Sequence, residues 1–260
     1  MTRGASSAAT NTTQHPTVPK QRLDLALVER GLVASRERAR ALILAGDVLV
    51  DEVPVTKAGA PIADTATLRL RRPDHPYVGR GGLKLAHALD AFGVSPSGRD
   101  ALDIGASTGG FTDVLLQRGA ARVIALDVGR GQLDWRLRTD SRVTVIESVN
   151  ARAIAPDLLP FAPSVVTIDV SFISLKHILP SLPPLVASPA DIIALVKPQF
   201  EAGRAEVGSK GIVRDAAVHA RVVHEVAQAG AEVGLDRVGT SESPITGATG
   251  NREFFLHFRR

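Results

Sequence analysis

The sequence contains no cysteine, which excludes disulfide cross-links, thiolate nucleophiles and cysteine-ligated metal centres together. Its seven histidines are scattered, without the HxxxH spacing that sets two imidazoles on one helix face, so no metal site is expected. Aromatic residues make up 4%, with a single Trp and a single Tyr. No window approaches the roughly 18 uninterrupted apolar residues of a membrane span. Residues 1–20, MTRGASSAATNTTQHPTVPK, lack the apolar block of a signal peptide. These absences predict a cytoplasmic address and argue against stable membrane association. What is present is 260 residues with 44% hydrophobic content, enough for one large core and a small appended domain.

An acidic excess is lacking too: 31 Lys plus Arg against 27 Asp plus Glu leave +4, a tilt toward a polyanionic partner. The basic residues gather at the front, where Lys20, Arg22, Arg30, Arg36, Arg38 and Arg40 face only Asp24, Glu29 and Glu37. Residues 1–20 have little bulky apolar content and no periodicity, and are read as a disordered tail. In RLDLALVERGL, Leu23, Ala26 and Leu27 share one helical face and Gly31 stops the helix. Ser35 then caps RERARALILAG, with Ala39, Leu42 and Ile43 inward, Arg36 and Arg40 outward, and Gly46 at the end. VLV and VPV around Asp51 and Glu52 predict a tight hairpin, and TLRLR at 67–71 a further strand. The small domain is placed at 21–66 and a linker at 67–82, the latter dominated by the Pro-, Gly- and Arg-rich RRPDHPYVGRGG.

From residue 83 to 260 the pattern alternates. RDALDIGAS, ARVIALDVG, RVTVIES, PSVVTIDVS and DIIALVKP are short apolar runs separated by helix-length segments, as parallel strands of an α/β domain are. A helix is expected over 214–230, then LDRVGTSES and NREFFLHFR as two last strands. The fold class is therefore α/β: a Rossmann-like seven-stranded sheet with helices on both faces, preceded by a small α+β domain.

The run LDIGASTGGFTD ends a strand in Gly105 and opens a helix at Gly109 and Gly110. Such a turn lets backbone approach a ligand closely, although glycines can also be present for packing alone. A pyrophosphate cradle wants G-x-G-x-x-G, yet Ala106 and Ser107 follow Gly105. A ligand with a ribose but no phosphate fits better, and S-adenosylmethionine is one. Asp127 at the end of the next strand is placed for its ribose hydroxyls, and Asn150 after the third strand for its adenine.

Four further polar residues stand at strand ends or on a helix facing them: Lys84, Asp169, Lys197 and Glu253. A lysine at the end of an apolar run costs several kcal/mol to bury unless it is neutral or meets an acid. An ion pair closing the sheet edge accounts for any one of them; the four together predict a site. A ribose hydroxyl is a poor nucleophile, and methylating it needs a base as the new bond forms. Lys197 is assigned that task, Lys84 favours its neutral form and holds the ribose, Asp169 orients Lys197, and Glu253 orients the substrate end.

These blocks, RGGLKL, DIGASTGGFTD, LDVGRGQLDWRLR, DVSFISL, VKPQFEAGR and TGNREF, resemble the TlyA family of ribosomal RNA cytidine 2′-O-methyltransferases, with a catalytic domain of the FtsJ type. The resemblance implies a Lys-Asp-Lys-Glu tetrad at Lys84, Asp169, Lys197 and Glu253. It also implies a cofactor pocket at Gly105, Ala106, Ser107, Gly109, Gly110, Asp127 and Asn150, and ribosomal RNA in ribosomal subunits as partner. Residues 21–66 resemble an RNA-binding domain first recognised in a small-subunit ribosomal protein, with Arg22, Arg36 and Arg40 gripping phosphates. The chain departs from the family pattern at Gly79, where a serine is expected, and at Ser148 and Val149 before Asn150. Members are also described as haemolysins, so a membrane-active protein and a non-catalytic RNA-binding protein are the competing readings. The sequence offers no long amphipathic helix for the former, and it retains all four tetrad residue types, which an inactive site has no need of.

Overall fold

The computed structural model describes residues 20–33, 35–71 and 74–260. It divides into two compact units, the first ending at His75 and the second opening at Pro76.

In the small unit, strand β1 (Lys20–Arg22) runs into helix α1 (Leu23–Glu29), followed by α2 (Arg36–Leu44), β2 (Val48–Val50), β3 (Val53–Pro54), β4 (Pro61–Ala63) and β5 (Leu68–Leu70). The Ser35 hydroxyl accepts from the Arg38 amide at 3.2 Å and so starts α2. Asp51 and Glu52 both take positive φ between β2 and β3, the twist that a two-residue hairpin requires. Leu23, Leu27, Ala39, Ile43 and Val48 form the core. Strand β1, which pairs antiparallel with β4, was not visible in the sequence pattern. The 67–82 segment is not connection throughout: β5 pairs with β2, and Gly81 and Gly82 already belong to the next helix.

The large unit contains α3 (Gly81–Phe92), β6 (Asp100–Ile104), α4 (Gly110–Gln117), β7 (Arg122–Asp127), α5 (Trp135–Arg138), β8 (Val143–Glu147), β9 (Val165–Ile168), β10 (Asp191–Val196), α6 (Pro198–Glu201), α7 (Ala216–Glu232), β11 (Asp236–Glu242) and β12 (Phe254–Arg259). All seven expected strands form one sheet in the order β11-β12-β10-β9-β6-β7-β8, with β12 alone reversed. Alternation along each strand sends Leu102, Ile104, Val166 and Ile168 to one face and Ala101, Val123, Val165 and Leu195 to the other. The first face is covered by α7 through Val218, Val222 and Val226, the second by α3 and α4 through Leu85, Leu89, Val114 and Leu115. Each fully buried side chain of this size contributes roughly 1.5–3 kcal/mol. The segments after β8 and β9 are helix-length but carry only short 3₁₀ turns, such as Pro156–Leu158 and Leu179–Ser181. Pro156, Pro160, Pro163, Pro180, Pro183 and Pro184 remove the amide donors that an α-helix there would use. β6 and β9 are parallel neighbours from which the strand order runs outward in opposite directions, the switch point whose crevice holds ligands in open α/β sheets.

Candidate active site

The turn after β6 is shaped by its neighbour across that crevice. Gly105 takes φ +87, and a Cβ there would collide with the Asp169 carbonyl oxygen at the end of β9. The Asp169 amide donates to Ile104 O at 2.9 Å, which sets Gly105 and Asp169 side by side. Gly110 begins α4 so close to the start of α3 that an added Cβ would lie 3.0 Å from the Gly82 amide nitrogen. That contact sets Lys84, one turn into α3, over the same crevice. Gly109 packs under the Leu133 and Leu137 side chains and is a packing position, away from the two chambers described below.

Ser107 sits where a dinucleotide fingerprint has its close-approach glycine, and it takes φ +48. Its amide donates to Asp127 Oδ2 at 2.8 Å, and the Gly129 amide donates to Oδ1 at 2.6 Å. The Asp127 carboxylate thus ties the turn to the end of β7 and keeps lone pairs for further hydroxyl donors. Asn150 Oδ1 accepts from the Arg152 amide at 3.0 Å, leaving its Nδ2 for a ligand.

Two adjoining chambers open on the crevice. One, about 610 Å³, is lined by Gly105, Ser107, Asp127, Asn150, Ser171 and Phe172. The other, about 330 Å³, is lined by Arg80, Lys84, Ala106, Asp169, Lys197 and Thr246. Gly105, Ser107, Asp169 and Ser171 belong to both walls. Both volumes fall in the roughly 300–1,000 Å³ range of small-molecule sites. The glycine turn and Asp127 fit the larger chamber to S-adenosylmethionine: they offer close backbone approach and a carboxylate for ribose hydroxyls, with no phosphate cradle.

The four tetrad candidates form two ion pairs. Lys197 Nζ lies 2.5 Å from Asp169 Oδ1 and donates a hydrogen bond to Ser171 Oγ at 3.1 Å. Lys84 Nζ lies 2.6 Å from Glu253 Oε2, and Glu253, 3% exposed, is buried behind it. Thr112 Oγ1 and Thr167 Oγ1 donate to Asp103, fully buried beneath the turn, at 2.7 and 3.0 Å. Burial pushes its carboxyl up to about 7, against the pull of those two hydroxyls.

Sequence reasoning missed Ser171, Phe172, Arg80 and Thr246. A hydroxyl or an aromatic in the loop after a strand carries no periodic signal. Phe172 stands out only in three dimensions: it is 90% exposed at the mouth of the larger chamber, its φ is +65, and its ring packs at a tilt against Phe200 with centroids 5.1 Å apart.

In the small unit, Arg22 Nε and Arg36 Nε each donate to the buried carboxylate of Asp24 at 2.9 Å. The Arg22 guanidinium leads in holding the Asp24 carboxyl well below the usual range. About half of each arginine side chain stays exposed, so the pair is presented to solvent in a fixed pose. Arg40 is exposed and has no ion pair among the described residues. No helix of the described residues is long and apolar enough to cross a membrane.

Residues 77–260 match the family model described as FtsJ-like methyltransferase, and residues 21–65 match the S4 domain. A Mycobacterium tuberculosis protein named 16S/23S rRNA (cytidine-2′-O)-methyltransferase TlyA is 47% identical over 241 residues, covering 92% of this chain and 90% of the relative. A Streptococcus thermophilus protein of known structure, provisionally labelled a hemolysin, is 44% identical, with a TM-score of 0.73 over 94% of this chain and 90% of its own. An S-adenosylmethionine-dependent methyltransferase from Mesorhizobium loti, 15% identical, shares the fold of the large unit at a TM-score of 0.51, covering 70% of this chain and 100% of its own. The chain belongs to the FtsJ-like methyltransferase family, on its TlyA branch, with an S4 domain ahead of the catalytic unit.

Proposed function

We propose that this rRNA methyltransferase transfers a methyl group from S-adenosylmethionine to the ribose 2′-hydroxyl of a cytidine in a ribosomal subunit. The observation that carries the reading is the pair of lysines, each held by a carboxylate, on the wall of a chamber that shares Gly105 and Asp169 with the cofactor-shaped one. S-adenosylmethionine supplies an electrophilic methyl carbon, so the protein has to provide alignment and a base but no further activation. Lys197 is the base placed to take the proton from the 2′ oxygen as that oxygen bonds to the methyl carbon, while the carbon–sulfur bond breaks and S-adenosylhomocysteine leaves. Asp169 and Ser171 hold the amine in place, and the carboxylate neutralises the ammonium that forms. Lys84, held by Glu253, fixes the ribose from the opposite wall and stabilises charge that develops on its oxygen. Phe172 offers an exposed aromatic face on which an unstacked base can rest, as single-stranded RNA recognition requires.

Residues 21–66 supply grip and not chemistry: Arg22, Arg36 and Arg40 contact RNA phosphates, giving affinity with little sequence information. Ribosomal subunits as substrate place the enzyme in the cytoplasm. The test is transfer of tritium from labelled S-adenosylmethionine to separated ribosomal subunits by the full chain and by Lys197→Ala. Wild type labels RNA; Lys197→Ala loses at least 100-fold in rate while binding the donor with an affinity within about 3-fold. Undiminished turnover in the variant refutes the base assignment.

A further inference from the structure

Beyond the reacting groups, the loop from Asp169 to Leu175 and the turn from Lys197 to Glu201 are joined at three places. At one end Lys197 meets Asp169 and Ser171. In the middle the Phe172 ring meets the Phe200 ring at a 51° tilt, centroids 5.1 Å apart. At the far end Glu201, the last residue of α6, accepts from Ser174 Oγ at 2.5 Å and from the Leu175 amide at 2.8 Å.

The third junction is an unusual choice if only packing is at stake. Burial pushes the Glu201 carboxyl above its ordinary range, the two hydrogen bonds and Lys176 pull it back, and Glu225 adds to the rise. A buried acid is costly unless its lone pairs are met, whereas an apolar residue could close the same corner without that cost. What the carboxylate gains is direction: it fixes a hydroxyl and an amide at once. Ser174 Oγ in turn accepts from the Lys176 amide at 3.1 Å and so starts the turn that ends the loop. The segment between the junctions includes Phe172 at φ +65, a strained conformation that persists only where the surroundings impose it.

We infer that Glu201 is a positioning residue for methyl transfer: by pinning Ser174 and Leu175 to the turn that begins at Lys197, it sets the register of Asp169, Ser171 and Phe172 against the base. The inference rests on the role given above to Lys197 and Asp169. Glu201 reaches no reacting atom; it acts through the loop. Misplacement of reacting groups by a fraction of an ångström is enough to slow a reaction that depends on alignment.

The test measures single-turnover methylation of ribosomal subunits by wild type, Glu201→Ala, Glu201→Gln, Ser174→Ala and the double variant Glu201→Ala/Ser174→Ala, with active molecules counted by donor binding. Glu201→Ala is expected to lower kcat at least 10-fold with donor KM within 3-fold. Glu201→Gln, which keeps one acceptor for the Leu175 amide, recovers at least a third of the loss on a logarithmic scale. The double variant is no slower than Glu201→Ala alone, because both changes break one tether. A kcat for Glu201→Ala within 2-fold of wild type overturns the inference, as does a loss that disappears when activity is expressed per donor-binding molecule. If Glu201→Ala does not fold, Ser174→Ala decides: a 3-fold or larger fall in kcat supports the tether, and an unchanged kcat overturns it. A wild-type chain that methylates no ribosomal RNA takes down the parent reading as well; an active wild type beside an equally active Glu201→Ala takes down this inference alone.

Discussion

Replacing Asp103 by asparagine removes a buried charge and little else. The carboxyl lies beneath the cofactor turn with no solvent exposure and accepts from the hydroxyls of Thr112 and Thr167. Hydroxyls rotate to donate or accept, so Asp103→Asn can keep both partners. Burial raises the carboxyl from its ordinary 3.8 to about 7. Between those values the folded chain holds a proton there that the unfolded chain has lost. Stability from this group therefore falls as pH rises through about 4 to 7 and levels off above that. At 1.4 kcal/mol per pH unit, the penalty accumulated by pH 8 is about 4 kcal/mol. Asp103→Asn is accordingly expected to be more stable than wild type by up to about 4 kcal/mol at pH 8, the difference shrinking to about 1–2 kcal/mol at pH 5. Urea unfolding from pH 5 to 8, followed by far-ultraviolet circular dichroism and by Trp135, the only tryptophan and a residue of the large unit, measures it. A fixed offset from altered hydrogen bonding shifts the curve without changing its slope. A difference that stays constant from pH 5 to 8 refutes the reasoning.

Two other outcomes follow from the same geometry. Phe172→Ala should lower kcat/KM for ribosomal subunits about 5- to 150-fold, the worth of one base stacked on an aromatic ring at about 1–3 kcal/mol, with donor affinity within 3-fold; a KM effect on the donor alone contradicts the stacking role. Arg40→Ala should weaken RNA binding alike on unrelated sequences and reduce the slope of log affinity against log salt by about 0.7–1; an unchanged slope, measured by filter binding from 50 to 300 mM salt, removes Arg40 from the phosphate contacts.

Most of the sheet was legible because buried parallel strands are written as short apolar runs: β6 to β10 lie where five such runs predict, and β11 and β12 lie in LDRVGTSES and NREFFLHFR as expected. The connections were less so: period alone does not reveal that prolines after Glu147 and Ile168 reduce expected helices to 3₁₀ turns. Strand β1 escaped notice because three residues, KQR, have no measurable alternation. Within the site, Asp169 and Lys197 could be picked out as charges placed where apolar runs end, whereas Lys84, inside a helix, and Glu253, just ahead of the last strand, carry a weaker local signal. Their division into two pairs, Lys84 with Glu253 and Lys197 with Asp169, depends on which strands are neighbours and has no local signature. The same holds for Asp24: it reads as one more acid among basic residues, yet it is the buried partner that poses Arg22 and Arg36. Phe172 and Glu201 matter through exposure and through contacts 26 or more residues away, which no window of sequence contains.

The central claim is that the methyl group goes to a ribose oxygen, and alkali tests it most directly. Ribosomal RNA labelled by the full chain with tritiated S-adenosylmethionine is hydrolysed at high pH. A methylated 2′ oxygen cannot attack the adjoining phosphate, so the account predicts label in alkali-resistant dinucleotides with cytidine on the 5′ side. Label recovered in mononucleotides would place the methyl group on a base and contradict it.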